Sequence, residues 1–176
     1  MTWPTAPKRY ICIDLGDKRT GLAVGDAATN IVSPLKVLEV PINHDRGEAL
    51  LSALAEAIAA HGAAEVVVGL PLIKHDQEGP RAKIVRAFID RLRPRLTPQP
   101  PFHFHDETLS TAAADWSMSR SGMTRGEKKL RRDALAAAVI LRDFLASIGS
   151  STSHEEHGGI SATDSPPAKS APPSHI

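Results

Sequence analysis

The stretch from Tyr10 to Asp26 (Tyr-Ile-Cys-Ile-Asp-Leu-Gly-Asp-Lys-Arg-Thr-Gly-Leu-Ala-Val-Gly-Asp) leaves this chain few folds to choose from. An apolar run over residues 9–15 reads as a strand and carries one carboxylate, Asp14, near its end. Gly16 and Gly21 frame a tight basic turn, and a second apolar strand over 20–26 runs back. Residues 31–40 read as a third strand after another brief turn. Connections this short favour antiparallel neighbours, so the first part of the chain reads as a three-stranded meander. An acid at a strand end, one turn from Lys18 and Arg19, suits a divalent cation and a phosphate. Taken alone, the same pattern also describes a hairpin with a solvated tip.

The rest of the chain alternates helices and strands. Arg46 to His61 reads as a helix with Leu50, Leu51, Leu54, Ala57, Ile58 and His61 on one face. Glu65 to Leu70 is short, β-branched and apolar, the pattern of a strand buried on both sides, and Pro71 helps end it. Glu78 to Leu96 holds a second helix, with Pro80 in its first turn and Ile84, Val85, Phe88, Ile89 and Leu92 as its buried face. Phe102 to Asp106 reads as a fifth strand. A short helix over Ala112 to Arg120 follows, capped by Ser110 or Thr111 and ended by Gly122. In the last helix, Glu127 to Ser147, residues Ala134, Ala138, Leu141 and Leu145 form a core stripe. The order implies an α/β domain: a mixed five-stranded sheet, three antiparallel strands plus two parallel, flanked by helices. Its crossovers are expected to be right-handed.

A length of 176 residues suits one such domain, over 9–149, with an N-terminal extension over 1–8 and a Ser/Pro-rich tail over 150–176 that is expected to be disordered. A core of this size needs no disulfide or structural metal. The one cysteine, Cys12, sits inside the first apolar run and reads as a small buried hydrophobe. No leader-like segment and no membrane-length apolar run is visible, so a cytoplasmic protein with no membrane partner is expected. Net charge is only +1. The cations are clustered, however: Lys18-Arg19, Arg91 to Arg95, and five in the eight residues from Arg125 to Arg132.

Three acidic positions come from three different elements. Asp14 ends the first strand, Asp106-Glu107 ends the fifth, and Asp133 lies just before the core stripe of the last helix. Parallel strands one, four and five would bring their carboxyl ends to one edge of the sheet, where α/β sheets place their sites. Like charges about 4 Å apart repel by roughly 4 kcal/mol at an effective dielectric of 20, a penalty that a divalent cation removes. Magnesium is often held by one or two carboxylates plus substrate phosphates, and paired ions can clamp the attacking and leaving oxygens of a phosphodiester. The cation run ending at Arg132 abuts Asp133 and makes Arg132 a candidate phosphate contact beside a solvated-face reading. His103 and His105 alternate along the fifth strand, and read as packed or hydrogen-bonded sheet residues rather than metal ligands.

These blocks, in this order, resemble the YqgF-type, ribonuclease-H-like family of pre-16S rRNA nucleases and Holliday-junction resolvase-like proteins. The resemblance spans roughly residues 9–147. It rests on Ile13-Asp14-Leu15-Gly16-Asp17-Lys18-Arg19-Thr20-Gly21, Val67-Val68-Gly69-Leu70-Pro71-Leu72 and Glu78-Gly79-Pro80-Arg81-Ala82. It continues in Asp106-Glu107-Thr108-Leu109-Ser110-Thr111, and in Lys128-Lys129 followed by Asp133-Ala134. The resemblance implies a hydrolase, a phosphodiester endonuclease using Mg2+ or Mn2+ held by Asp14, Glu107 and Asp133 as metal-binding and catalytic acids. It implies phosphate contacts from Lys18, Arg19, Lys128 and Lys129. The implied substrate is structured RNA, the 5′ end of pre-16S rRNA during ribosome biogenesis, with ribosomal subunit precursors as partners and a monomer or homodimer as the working form.

Two departures stand out. Thr108 replaces the family's arginine after Asp-Glu, with Ser110 in place of the first Thr of that block, and the loop after the central strand is altered to Ile73-Lys74-His75-Asp76-Gln77. Three other functions stay open on the residues. The same chemistry could act on four-way branched DNA. The chain could be a non-catalytic nucleic-acid-binding assembly factor. An actin- or sugar-kinase-like ATPase shares the Asp-x-Gly turn, but needs two such domains where this chain has room for one.

Overall fold

The structure, a computed structural model, describes residues 8–73, 77–107 and 125–152, with side chains in the last helix given over 132–149. Strands β1 (Arg9–Leu15), β2 (Thr20–Asp26) and β3 (Ile31–Leu38) form the expected meander. They are followed by α1 (Glu48–Ala60), β4 (Glu65–Leu70), a small ribbon of β5 (Leu72–Ile73) and β6 (Gln77–Glu78), α2 (Pro80–Leu92), β7 (Phe102–Asp106) and α3 (Arg125–Thr152). The sheet order is β3-β2-β1-β4-β7, with β1–β2 and β2–β3 antiparallel and β1–β4 and β4–β7 parallel. The carboxyl ends of β1, β4 and β7 therefore share one edge.

Side-chain alternation divides the core into two layers. Ile11, Ile13 and Leu15 of β1, with Val66, Val68 and Leu70 of β4, face a layer filled by Leu50, Leu51 and Leu54 of α1 and by Phe88, Ile89 and Leu92 of α2. Tyr10, Cys12 and Val67 face the other way, toward Ala137, Ala138, Ile140, Leu141 and Phe144 of α3. Large aliphatic side chains separate the sheet from α1 and α2. The α3 layer is thinner, because β2 presents Gly21, Ala23 and Gly25 to it. A Cβ at Gly21 would overlap the Asp133 carbonyl, and one at Gly25 would come within 3.0 Å of a Leu141 methyl. Helix and strand meet there almost backbone to backbone.

Several boundaries differ from the sequence reading. The first helix does not begin at Arg46. Asp45, Arg46 and Gly47 all have positive φ, in a 3-10 turn over His44–Gly47 that no α-helix can enter. Gly47 is needed there, since at φ +82 a Cβ would lie 2.8 Å from the Phe88 ring. His61 ends α1 rather than packing in its face, with Nδ1 3.0 Å from the Ala57 carbonyl. Helix α2 starts at Pro80, because Gln77–Glu78 pair with Leu72–Ile73 instead. It passes into a 3-10 turn over Arg93–Arg95, where Pro94 has no N–H to donate. Ile84, expected on the buried face, is 49% exposed; Ala82 takes the inward place. The last helix is longer than expected at both ends and runs through Thr152. The short helix expected over Ala112 to Arg120, and the tail beyond Thr152, lie outside the described residues.

Candidate active site

Alternation along β1 puts Asp14 on the same side as Tyr10 and Cys12, under α3. In β7, His103 and His105 face α3, and Glu107, the next residue in that alternation, follows the strand end. The Glu107 N–H donates to the Leu70 carbonyl at 3.3 Å, which continues the parallel pairing past β7. Between Asp14 and Glu107 lies β4, and its α3-facing residue at this level is Gly69. Because Gly69 has no side chain, the Glu107 carboxylate lies across the strand. A Cβ there would come 3.1 Å from Glu107 Oε2 and 2.9 Å from Ile140 Cδ1. The Asp14 and Glu107 side chains are hydrogen-bonded to each other.

Asp133 reaches the same place from α3. Asp14 pairs with Gly21 across β1–β2, and the Asp133 backbone sits on Gly21, so the close helix contact brings the third acid beside the first. Arg19 Nε donates to Asp133 Oδ2 at 2.7 Å. A small cavity of about 160 Å³ opens here, lined by Asp14, Gly16, Asp17, Lys18, Arg19 and Asp133. Lys18 is exposed at its mouth.

The electrostatics are those of crowded acids. Burial pushes the Asp14 carboxyl up to about 7, reinforced by the charge and hydrogen bond of Glu107 and the charge of Asp133; Arg81 opposes this. Burial likewise raises Glu107, against the Asp14 hydrogen bond and the Arg81 charge. Two acids this close and this buried favour sharing a proton, or a cation in its place. The donor set is hard, anionic oxygen, the type that suits magnesium or manganese rather than a thiophilic metal. Asp14 and Glu107 fit such an ion as a pair. Asp133 is turned to Arg19 in this arrangement. Among the described residues no cluster of three or more His, Cys, Asp or Glu is gathered to hold an ion. Asp133 would join a metal only by exchanging Arg19 for it.

The other sequence candidates are placed as follows. Arg132 is exposed, one residue before Asp133. Lys128 and Lys129 fall in the first turns of α3, ahead of its described side chains. Asp106, the alternative to Glu107, is exposed. His103 Nε2 lies 2.7 Å from Glu65, His105 Nε2 lies 2.7 Å from Asp143, and both rings pack on Phe144, so the packed reading describes them. Cys12 is fully buried beneath the acids, and burial pushes its thiol up. Sequence reasoning overlooked Gly69 and Arg81 as site residues. A lone glycine inside a β-branched strand signals a close approach. An arginine in the first turn of a helix that follows the central strand is returned to the carboxyl edge.

Residues 8–147 match the family model described as RuvX, Holliday junction resolvase. A protein of Roseiflexus sp. (strain RS-1) named "Putative pre-16S rRNA nuclease" is 37% identical over 142 residues, covering 80% of this chain and 96% of that protein. One of the same name from Anaeromyxobacter sp. (strain Fw109-5) is 39% identical over 137 residues, covering 78% and 96%. Among solved structures, T. thermophilus RuvC in complex with a Holliday junction substrate shares the fold, with a TM-score of 0.51 at 16% identity, over 81% of this chain and 96% of that one. With residues 8–147 matched by the family model, and a relative 37% identical over 80% of its length, this chain belongs to the RuvX, Holliday junction resolvase family.

Proposed function

We propose that this protein is a divalent-metal-dependent endonuclease that cuts structured RNA, and that its substrate is the precursor of 16S rRNA during ribosome biogenesis. The observation that carries the reading is the Asp14–Glu107 carboxylate pair, joined across Gly69 at the edge of the sheet, with Asp133 lining the same cavity as Asp14. Phosphodiester hydrolysis is the chemistry such a pair fits, and relatives at 37% and 39% identity carry a nuclease name.

Asp14 and Glu107 would hold Mg2+ or Mn2+, with Asp133 joining them. When bound, the ion supplies charge stabilisation at the scissile phosphate and lowers the pKa of an attacking water. The chain's own residues do the rest. Lys18, exposed at the cavity mouth, attracts the sugar-phosphate backbone. Arg19 offers a guanidinium to a phosphate as it gives up Asp133. Arg132, exposed beside Asp133, adds a further cation for the strand. Such contacts bring affinity without sequence reading and weaken with salt. RNA shape, rather than base stacking, does the selecting, as an aromatic content of 4% favours. A protein acting on precursor rRNA would do so in the cytoplasm. Among the described residues no helix is long and apolar enough to cross a membrane.

The test is cleavage of defined precursor 16S rRNA by purified protein, with magnesium and with chelator, beside a four-way DNA junction of equal length. Metal-dependent cutting of the RNA at a fixed position is expected. Exclusive cutting of the junction would transfer the reading to the resolvase chemistry that the family description names; paired incision there needs two active sites and hence a dimer. RNA retention without cleavage in either condition would leave a binding factor.

A further inference from the structure

Helix α2 contributes none of the three acids, yet its second residue reaches into their neighbourhood. Arg81 Nη2 donates to the Leu15 carbonyl at 2.7 Å, and Nη1 donates to the Asp17 carboxylate. These acceptors flank Gly16 in the turn directly after Asp14. Two further bonds shape that turn. The Gly16 N–H donates to the Arg19 carbonyl, and the Ile42 N–H donates to the Asp17 carbonyl, each at 3.0 Å. The turn is thus gripped from the loop before α1 and from the start of α2. Asp14 lies at one end of it, and Arg19, which holds Asp133, at the other.

We propose that Arg81 is a positioning residue: its guanidinium fork, by holding the Leu15 carbonyl and the Asp17 carboxylate, sets the turn that places Asp14 and Arg19, and through them the arrangement of all three acids. An exposed arginine–carboxylate pair alone contributes little. Here the second arm ends on a part-buried backbone carbonyl, and only a planar fork can serve two such acceptors in fixed directions.

The nuclease reading underlies only one arm of the test. Arg81→Met and Arg81→Lys are made in the full chain and followed by amide hydrogen exchange and by steady-state cleavage of precursor rRNA. In Arg81→Met the Gly16 and Ile42 amides should exchange about tenfold faster or more, with Val66 to Val68 of β4 unchanged. Its kcat should fall about tenfold or more while KM stays within about threefold, the pattern of misplaced chemistry rather than lost binding. Arg81→Lys keeps the charge but not the fork, and should behave like Arg81→Met in both readouts. Wild-type exchange at Gly16 and Ile42 in Arg81→Met overturns the proposal, as does faster exchange throughout the sheet or full recovery by lysine. A wild-type chain that cuts neither RNA nor junction DNA defeats the nuclease reading instead, and the exchange rates then decide the role of Arg81 on their own.

Discussion

Strands β1 and β4 each bring a carboxylate into partly or fully buried surroundings, at opposite ends of the sheet, and the two ends treat it in opposite ways. At the amino end, burial pushes Glu65 up, but hydrogen bonds from Lys8 and His103 outweigh it and hold the carboxyl below its ordinary range. At the carboxyl end, burial pushes Asp14 up, and its nearest charged partner is another acid. Burial is common to both; the sign of the neighbours differs. The first end is a closed ion-paired network that needs nothing more. The second sets two acids against each other with no cation between them, an arrangement that a bound divalent ion would offset.

Removing the carboxylate at the incomplete end tests the contrast most severely. Asp14→Asn should lower metal-dependent cleavage on the order of a thousandfold, about 4 kcal/mol of transition-state stabilisation, while leaving the protein folded. Undiminished cleavage by the folded variant would break the comparison. Gly69→Val comes next: its side chain takes the space the Glu107 carboxylate crosses, and a misplacement of that size costs about a hundredfold in rate. Unaltered kcat in a chain of wild-type stability would mean that the Asp14–Glu107 contact is dispensable. At the closed end, Glu65→Met should do the reverse. It should cost about 1–2 kcal/mol of stability in a thermal melt, discounted because Lys8 and His103 reach solvent, with kcat of the folded fraction unchanged.

The two ends should also respond oppositely to pH. Asp14 titrates at about 7 in the fold against an ordinary 3.8, so the folded state binds its proton more tightly. Its contribution is full below about pH 4 and is lost as pH rises through about 7. Glu65 is lowered, so its contribution is present above its ordinary value and lost as pH falls below it. In chelator, the melting temperature should therefore fall between pH 5 and pH 8, by a few degrees for about 1–2 kcal/mol, and magnesium should restore it mainly at pH 8. A flat profile there, or equal magnesium stabilisation at both values, would remove the charge-deficit account of the site. The smallest effect belongs to Lys18→Ala: RNA binding a few-fold weaker, and a salt dependence shallower by about one ion, read from affinities at several salt concentrations.

Periodicity made most of this architecture readable. The alternation in Tyr-Ile-Cys-Ile-Asp fixes both that β1 is central and that Asp14 faces the side opposite Ile11 and Ile13. The run Val66-Val67-Val68 announces a strand covered on both faces. What escaped was set by tertiary contact rather than by pattern. Ile84 fits a helical stripe equally well inside or outside, and only the packing of Ala82 and Val85 decides it. Arg46 fits a helix by composition, and is excluded by a left-handed turn that Gly47 and Phe88 impose. Arg81 looks like any surface arginine until its two acceptors, both in the first turn of the chain, are known. At the site, Asp14 could be singled out from its strand-end position. The hydrogen bond to Glu107 could not, since it depends on what Gly69 lacks.

The close seating of α3 on β2 has a consequence for how the protein tolerates change. Where Gly21 meets the Asp133 carbonyl, the gap between helix and strand is set by main-chain atoms, which cannot repack. That contact works as a caliper for the third acid. Substitutions among the leucines and isoleucines beneath α1 and α2 can loosen the molecule as a whole and still leave this dimension fixed. The part of the fold with the least side-chain volume is the part that holds its measurements most strictly.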